Sequence, residues 1–151
     1  MNKESTYEIL MRFKRKFPNC VTWWRLRKHC EIIDKHLNPN EVVKFACAGQ
    51  LDNNCWSIFN TGVIAITSER LVIAQNRLIV GYKFSSVTPD LYNDLQVDSG
   101  LIWGTLTIDT IKEKIYLSDL DKKSLPEIET EVSMFMQEAK KKYAKRKEED
   151  R

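Results

Sequence analysis

Two hydrophobic periods divide the chain. Up to Leu37, apolar residues recur every three or four positions, the spacing of a helix with one buried stripe. Ile9, Leu10, Phe13 and Phe17 form a first stripe, opened by the capping box Ser5-Thr6-Tyr7-Glu8 and ended by Pro18. Trp23, Leu26, Cys30, Ile33 and Leu37 form a second, which Asn38-Pro39 stops. A helical hairpin is predicted over residues 1–37. From Glu41 the period falls to two. Val43, Phe45, Cys47 and Gly49 alternate with Lys44, Ala46, Ala48 and Gln50, and Asp52-Asn53-Asn54 turns the chain.

Further strands are predicted over 63–67 and 70–75, joined at Thr67-Ser68-Glu69-Arg70. Others follow over 78–84, along Leu91, Asn93, Leu95 and Val97, over 101–109, and at Ile115-Tyr116-Leu117. The chain closes with a long helix. Ser124-Leu125-Pro126-Glu127 reads as a second capping box, and Leu125, Ile128, Val132, Phe135, Ala139 and Tyr143 as its stripe. The pattern is mainly β with helices at both ends. Val43, Phe45, Ile64, Ile66, Leu106, Ile108 and Phe135 are expected to share one core, plugged by the last helix.

Three segments carry a resemblance. His36-Leu37-Asn38-Pro39-Asn40-Glu41 leads into an apolar strand, and Gly62 to Thr67 runs through Thr-x-x-Arg70-Leu71 into a second. Gly100 to Ile108 makes a later hairpin. In order and spacing these resemble the bacterial pleckstrin-homology-like domain family over about residues 36–140. The resemblance implies a seven-stranded antiparallel barrel or sandwich, partly open, capped by a long C-terminal helix. The expected organisation is a helical extension at 1–37, the PH-like domain at 38–146 and a charged tail at 147–151. Such barrels host lipid, peptide and oligomer interfaces, so the fold alone does not name a partner. Lipid-binding relatives carry cations in the loop after the first strand. Here that loop is Leu51-Asp52-Asn53-Asn54-Cys55, with none, so a phosphorylated headgroup is not expected there.

Charge is unevenly spread. Residues 1–37 hold nine basic and four acidic side chains, 38–121 six and ten, and 122–151 nine and seven. The flanks are therefore basic and the barrel acidic. With a pI of 8.6 and no aromatic platform among the basic residues beyond Tyr143, nucleic acid is not an expected partner. No nucleotide loop, hydrolase elbow or zinc-protease motif occurs, so no enzyme, cofactor or metal is expected. His29 and His36 lie seven residues apart, roughly 10.5 Å along a helix, too far to share one zinc. Asp119 and Asp121 are read as serving the turn before the last helix. Arg70 is expected to hold its own hairpin turn through carbonyls or Glu69. The four cysteines have no paired spacing and read as buried thiols of a cytoplasmic chain with no signal peptide.

Candidate contact residues remain. Trp103 alternates with Ile102, Leu106 and Ile108 and shares its face with Thr105 and Thr107. A tryptophan on such a face is expected to be covered. The N-terminal hairpin is the expected cover, on its own barrel or a neighbour's, with self-association favoured because Trp24 and the aromatics near Trp56 add apolar surface; Trp23, Trp24 and Trp103 are the candidate partner contacts. The first reading is thus a scaffolding module that binds a protein partner or another copy of itself. The alternative is a peripheral adaptor on an anionic membrane surface. Its contacts would be Lys140, Lys141, Lys142, Lys145, Arg146 and Lys147, helped by Arg25, Arg27 and Lys28.

Overall fold

The computed structural model describes residues 3–19, 24–52, 60–77 and 79–151, the Tyr143 side chain excepted. The two N-terminal helices are α1 (Thr6–Lys16) and α2 (Leu26–His36). Seven strands follow: β1 (Val43–Gln50), β2 (Thr61–Thr67), β3 (Leu71–Asn76), β4 (Tyr82–Val87), β5 (Tyr92–Ser99), β6 (Trp103–Thr110) and β7 (Lys114–Asp121). Helix α3 (Leu125–Glu149) ends the chain. The sheet order is β4-β3-β2-β1-β7-β6-β5, antiparallel throughout, curled into a half-barrel. This is the predicted architecture.

The sheet carries two cores. Inside the curl, Phe45, Cys47, Ile64, Ile66, Leu71, Ile73, Leu106 and Leu117 meet Leu125, Ile128, Val132 and Met136 of α3. On the outer face of β1–β3, Val43, Ala46, Ala48, Val63, Ala65, Val72 and Ala74 meet Ile9 and Leu10 of α1 and Leu26, Cys30 and Ile33 of α2. Alanines at four of these positions leave room for the helices to lie close. Every residue of β2 is buried, as a strand covered on both faces requires. Cys30 and Cys47 are buried, and burial pushes the Cys30 thiol pKa upward. Cys20 and Cys55 lie outside the described residues.

Several expectations are corrected. Val43 faces the outer core rather than the inner one, because a register shift between Val43 and Phe45 breaks the alternation. The helices dock on β1–β3, not on the face of Trp103, which is half-buried on the outer side of β6. Ile102 does not face inward; it sits in the β5–β6 turn, 64% exposed. β4 begins at Tyr82 rather than residue 78, since Arg77 N–H donates to the Gly81 carbonyl at 3.0 Å and Gly81 takes φ +75°. Helix α2 starts at Leu26, after Arg25 in the left-handed region, and Trp23 and Trp56 lie outside the described residues.

The C-terminal helix differs from its predicted stripe and cap. Ser124 makes no side-chain cap, since a 3₁₀ turn at Lys122–Ser124 precedes the helix and Asp121 caps that turn at Lys123 N–H. The Ser124 hydroxyl donates instead to the Asp121 carbonyl at 2.6 Å. Met136 takes the deep position, 1% exposed, while Phe135 is only half-buried. Stepping by four from Val132 keeps the buried stripe under the barrel mouth; Phe135 lies one residue, about 100°, to the side. Denaturant unfolding should therefore show Met136→Ala costing roughly 2–5 kcal/mol and Phe135→Ala measurably less. Equal or reversed costs would return Phe135 to the plug.

Candidate functional site

The segments around Pro39 and Thr67 meet in one buried polar knot. Glu41 is fully buried, and Arg70 grips it twice: Nε to Oε2 at 3.0 Å and Nη2 to Oε1 at 3.1 Å. The Thr67 hydroxyl donates to Glu41 Oε2 at 2.7 Å and Asn38 N–H to Oε1 at 2.9 Å. Arg70 Nη2 also donates to the His36 carbonyl at 2.7 Å, closing the end of α2. Burial raises the Glu41 pKa, but the bonds from Arg70, Thr67 and Asn38 and the charge of Arg70 outweigh it and leave it below the ordinary range. Removing one member of such a pair strands the other's charge, a loss of about 3–5 kcal/mol. Arg70 is structural, as expected, though its partner is Glu41. Glu69 instead accepts from Asn38 Nδ2 at 2.8 Å.

Both histidines have packing roles. His29 Nδ1 accepts from Asn76 N–H at 2.7 Å and its Nε2 faces the Trp24 carbonyl at 3.0 Å, which fixes a neutral ring. His36 stacks on Phe84 at 4.2 Å. Among the described residues, no group of three or more His, Cys, Asp or Glu stands where it could hold a metal ion. Asp119 is buried at φ +61°, and its Oδ1 has no hydrogen-bond partner among the described residues. Burial and the neighbouring Asp52 charge raise its pKa to about 6.

An open groove of about 490 Å³ runs along the second half of α3. Phe135 and Ala139 form its floor. Lys44, Lys142 and Arg146 line it together with Glu69, Asp90 and Glu138. Its far wall is the start of β1 and the β2–β3 turn, pinned where Ser68 N–H donates to the Val42 carbonyl at 2.8 Å. The pattern of the stripe did not disclose this groove. A half-buried Phe135 beside a deep Met136 is the signal that would have.

The candidate cations divide. Lys142 and Arg146 line the groove, Lys140 lies over the Tyr92 ring at 5.5 Å, and Lys141, Lys145 and Lys147 are exposed on the last turns of α3. Arg25 lies at the other end of β3, its Nη1 donating to Asn76 Oδ1 at 2.9 Å and the Arg77 carbonyl at 3.1 Å. Arg27 lies over the Tyr7 ring at 4.2 Å, and Lys28 is exposed. The two basic flanks therefore do not form one surface, because β3, six residues long, separates them. Trp24 is half-buried beside Arg25, whose guanidinium lies 4.6 Å from its ring. Trp103 joins neither group: its strand neighbour across the ladder is Asp121.

A family model described as Bacterial PH domain matches residues 37–133, well over half of the chain. A solved structure, the pleckstrin homology domain from Shewanella amazonensis SB2B, is 13% identical over 80% of this chain and 94% of that one, with a TM-score of 0.44. None of the curated proteins matches. No described helix is long and apolar enough to cross a membrane.

The buried imidazole gives a pH test. Burial holds the His29 pKa at about 4, against an ordinary 6.5, with the Arg25 charge adding to the effect and the Trp24 carbonyl opposing it. The unfolded chain therefore binds this proton first. Stability from His29 is complete above pH 6.5 and is lost as the pH falls toward 4, on the order of 3 kcal/mol in all. Asp119, with its raised pKa, works in the opposite sense. Subtracting a His29→Gln variant's unfolding free energies from the wild type's, pH by pH, isolates the histidine. The difference should shrink on acidification; a flat difference would mean that the ring is not held neutral.

Proposed function

Since the chain belongs to the bacterial PH domain family, we propose that it is a non-catalytic interaction module that holds a segment of a protein partner in the groove along α3. The observation that carries this reading is the groove's composition. Phe135 and Ala139 offer an apolar floor, and three cations face three carboxylates around it. A polyanion such as nucleic acid or a charged bilayer would meet Glu69, Asp90 and Glu138; a peptide carrying both signs would be matched at each. From Phe135 to Arg146 the helical edge of the groove is roughly 16 Å long, room for about five extended residues, with the apolar part at its Phe135–Ala139 end. One wall is the part of α3 that runs on past its last core residue, Met136, and the other is a turn tied to β1 by the Ser68 N–H to Val42 carbonyl bond.

The test places a photo-reactive amino acid at Glu138, on the groove, and separately at Glu129, exposed on α3 outside it, in the native host. A discrete protein product is expected from position 138 only, and the pair Lys142→Glu and Arg146→Glu should abolish it. A product of twice the chain's mass would identify the partner as a second copy. Equal products from both positions, or one indifferent to the charge reversal, would contradict the groove as the binding surface.

A further inference from the structure

We propose that the corner where β1 ends beside β7 is a calcium site, in which Asp119, Asp52 and the side-chain oxygen of Gln50 hold one ion. The site is separate from the groove and shares none of its lining residues. Gln50 is the last residue of β1 and stands opposite Ser118 in the ladder with β7, which sets it beside Asp119. Gln50 and Asp119 are each 2% exposed. The Gln50 Nε2 donates to the Thr61 hydroxyl at 2.9 Å, but its Oε1 has no hydrogen-bond partner among the described residues. Asp119 Oδ1 is in the same position. A buried acceptor without a donor is costly, and a charged one most of all. Two in one corner call for something that brings positive charge. The backbone aims Asp119 there: it takes φ +61° where the β6–β7 register shifts, so that Ser118 and Asp119 together stand opposite Thr105. Left-handed backbone at a residue other than glycine is found most often where a side chain has a task.

The donor set selects the ion. Burial and the Asp52 charge both act on Asp119, so the two carboxylates are close enough to repel one another. Among the described residues no cation enters that balance; Lys83 and Lys114 share a neighbouring pocket with Glu113 and Leu51. Asp52 is held in place by Asn60, whose Nδ2 donates to its Oδ2 at 2.9 Å, and Asn60 in turn accepts from Gln75 Nε2 at 2.6 Å. Two carboxylates and an amide oxygen, without nitrogen or sulfur, are the ligands of a hard cation. Calcium accepts neutral amide oxygens in irregular geometry, whereas magnesium demands a near-ideal octahedron. Asp52 is half-buried, which leaves the solvent side for entry and for water ligands. With only two acidic ligands the affinity belongs to the weak class, roughly 10⁻⁴–10⁻³ M. The ion would also have structural work. β1 and β7 pair in the ladder through Gln50 and Ser118 alone among the described residues, and a bridge from Asp52 to Asp119 would clamp that seam.

The experiment uses the full chain, stripped with a chelator and dialysed, then titrated calorimetrically with calcium chloride and melted with calcium or magnesium at matched ionic strength. The wild type should show one saturable site, and saturating calcium should raise the melting temperature by about 3 °C or more. Magnesium should raise it less. Asp119→Asn keeps the shape and tolerates the left-handed backbone. Its metal-free form should melt no lower than the wild type, because a buried repulsion is relieved, yet its calcium response should vanish. Asp52→Asn, at the half-buried ligand, should weaken binding in the same sense. Gln50→Glu should lower the metal-free melting temperature and tighten calcium about tenfold or more, since affinity follows the ligand charge count. Asp94→Asn, exposed on β5, should leave the response unchanged. Absence of calcium binding in the wild type would overturn the proposal and leave a buried water as the partner of the two oxygens. A response that survives both Asp119→Asn and Asp52→Asn, that Asp94→Asn reduces equally, or that magnesium matches would also overturn it.

Discussion

Strands β1, β2 and β3 are apolar on both faces, and the rest of the molecule follows from the need to cover both. The inner face is closed by the curl of the sheet and by α3; the outer face, lined largely by alanine and valine, is closed by α1 and α2. Short helices are marginal alone and draw their stability from such packing. The N-terminal hairpin is therefore a second half of the core laid against the back of a PH sheet. Lys16 reaches Glu127 at 2.6 Å, and Asn19 N–H donates to Asp121, so α1 also touches the start of α3.

The Glu41–Arg70 knot fixes the corner where helix gives way to sheet. It ties the His36 carbonyl at the end of α2 and the Asn38–Glu41 segment that leads into β1 to the β2–β3 turn through charge-assisted bonds. Placing α2 in this way has a consequence at its other end. The neutral His29 ring and the Arg25 guanidinium meet Asn76 and Arg77, so the segment that covers the sheet also sets one cation against the β3–β4 turn.

Much of this was legible in the sequence. Alternation located most of the strands, the Ser5 capping box and its stripe located α1, and the segments around Pro39 and Arg70 pointed to the fold. Those two segments proved to be halves of one network, which no local reading could reveal because Glu41 and Arg70 lie 29 positions apart. The bulge after Val43 was hidden, since a period of two cannot announce where it will skip. The apolar run from residue 78 read as a strand, but Gly81 turns the chain there and leaves Ile79 and Val80 in solvent. For the candidate contacts, the sequence named Trp24, Arg25, Lys142 and Arg146 but could not sort them into separate surfaces. It also placed the helical cover on Trp103, because a tryptophan among Thr105 and Thr107 called for one, whereas the docking face is lined by alanines and valines of β1–β3.

That α1, α2 and the sheet form one cooperative unit is the claim on which the rest of the structure depends. Native-state hydrogen exchange tests it most directly. If the outer core is real, amides of α1 and α2 should open only with those of β1–β3, within about 1 kcal/mol of the global unfolding free energy once terminal fraying is set aside. Exchange of the helices many-fold faster than the sheet, at a free energy far below global, would show a hairpin loosely tethered to a barrel that is complete without it.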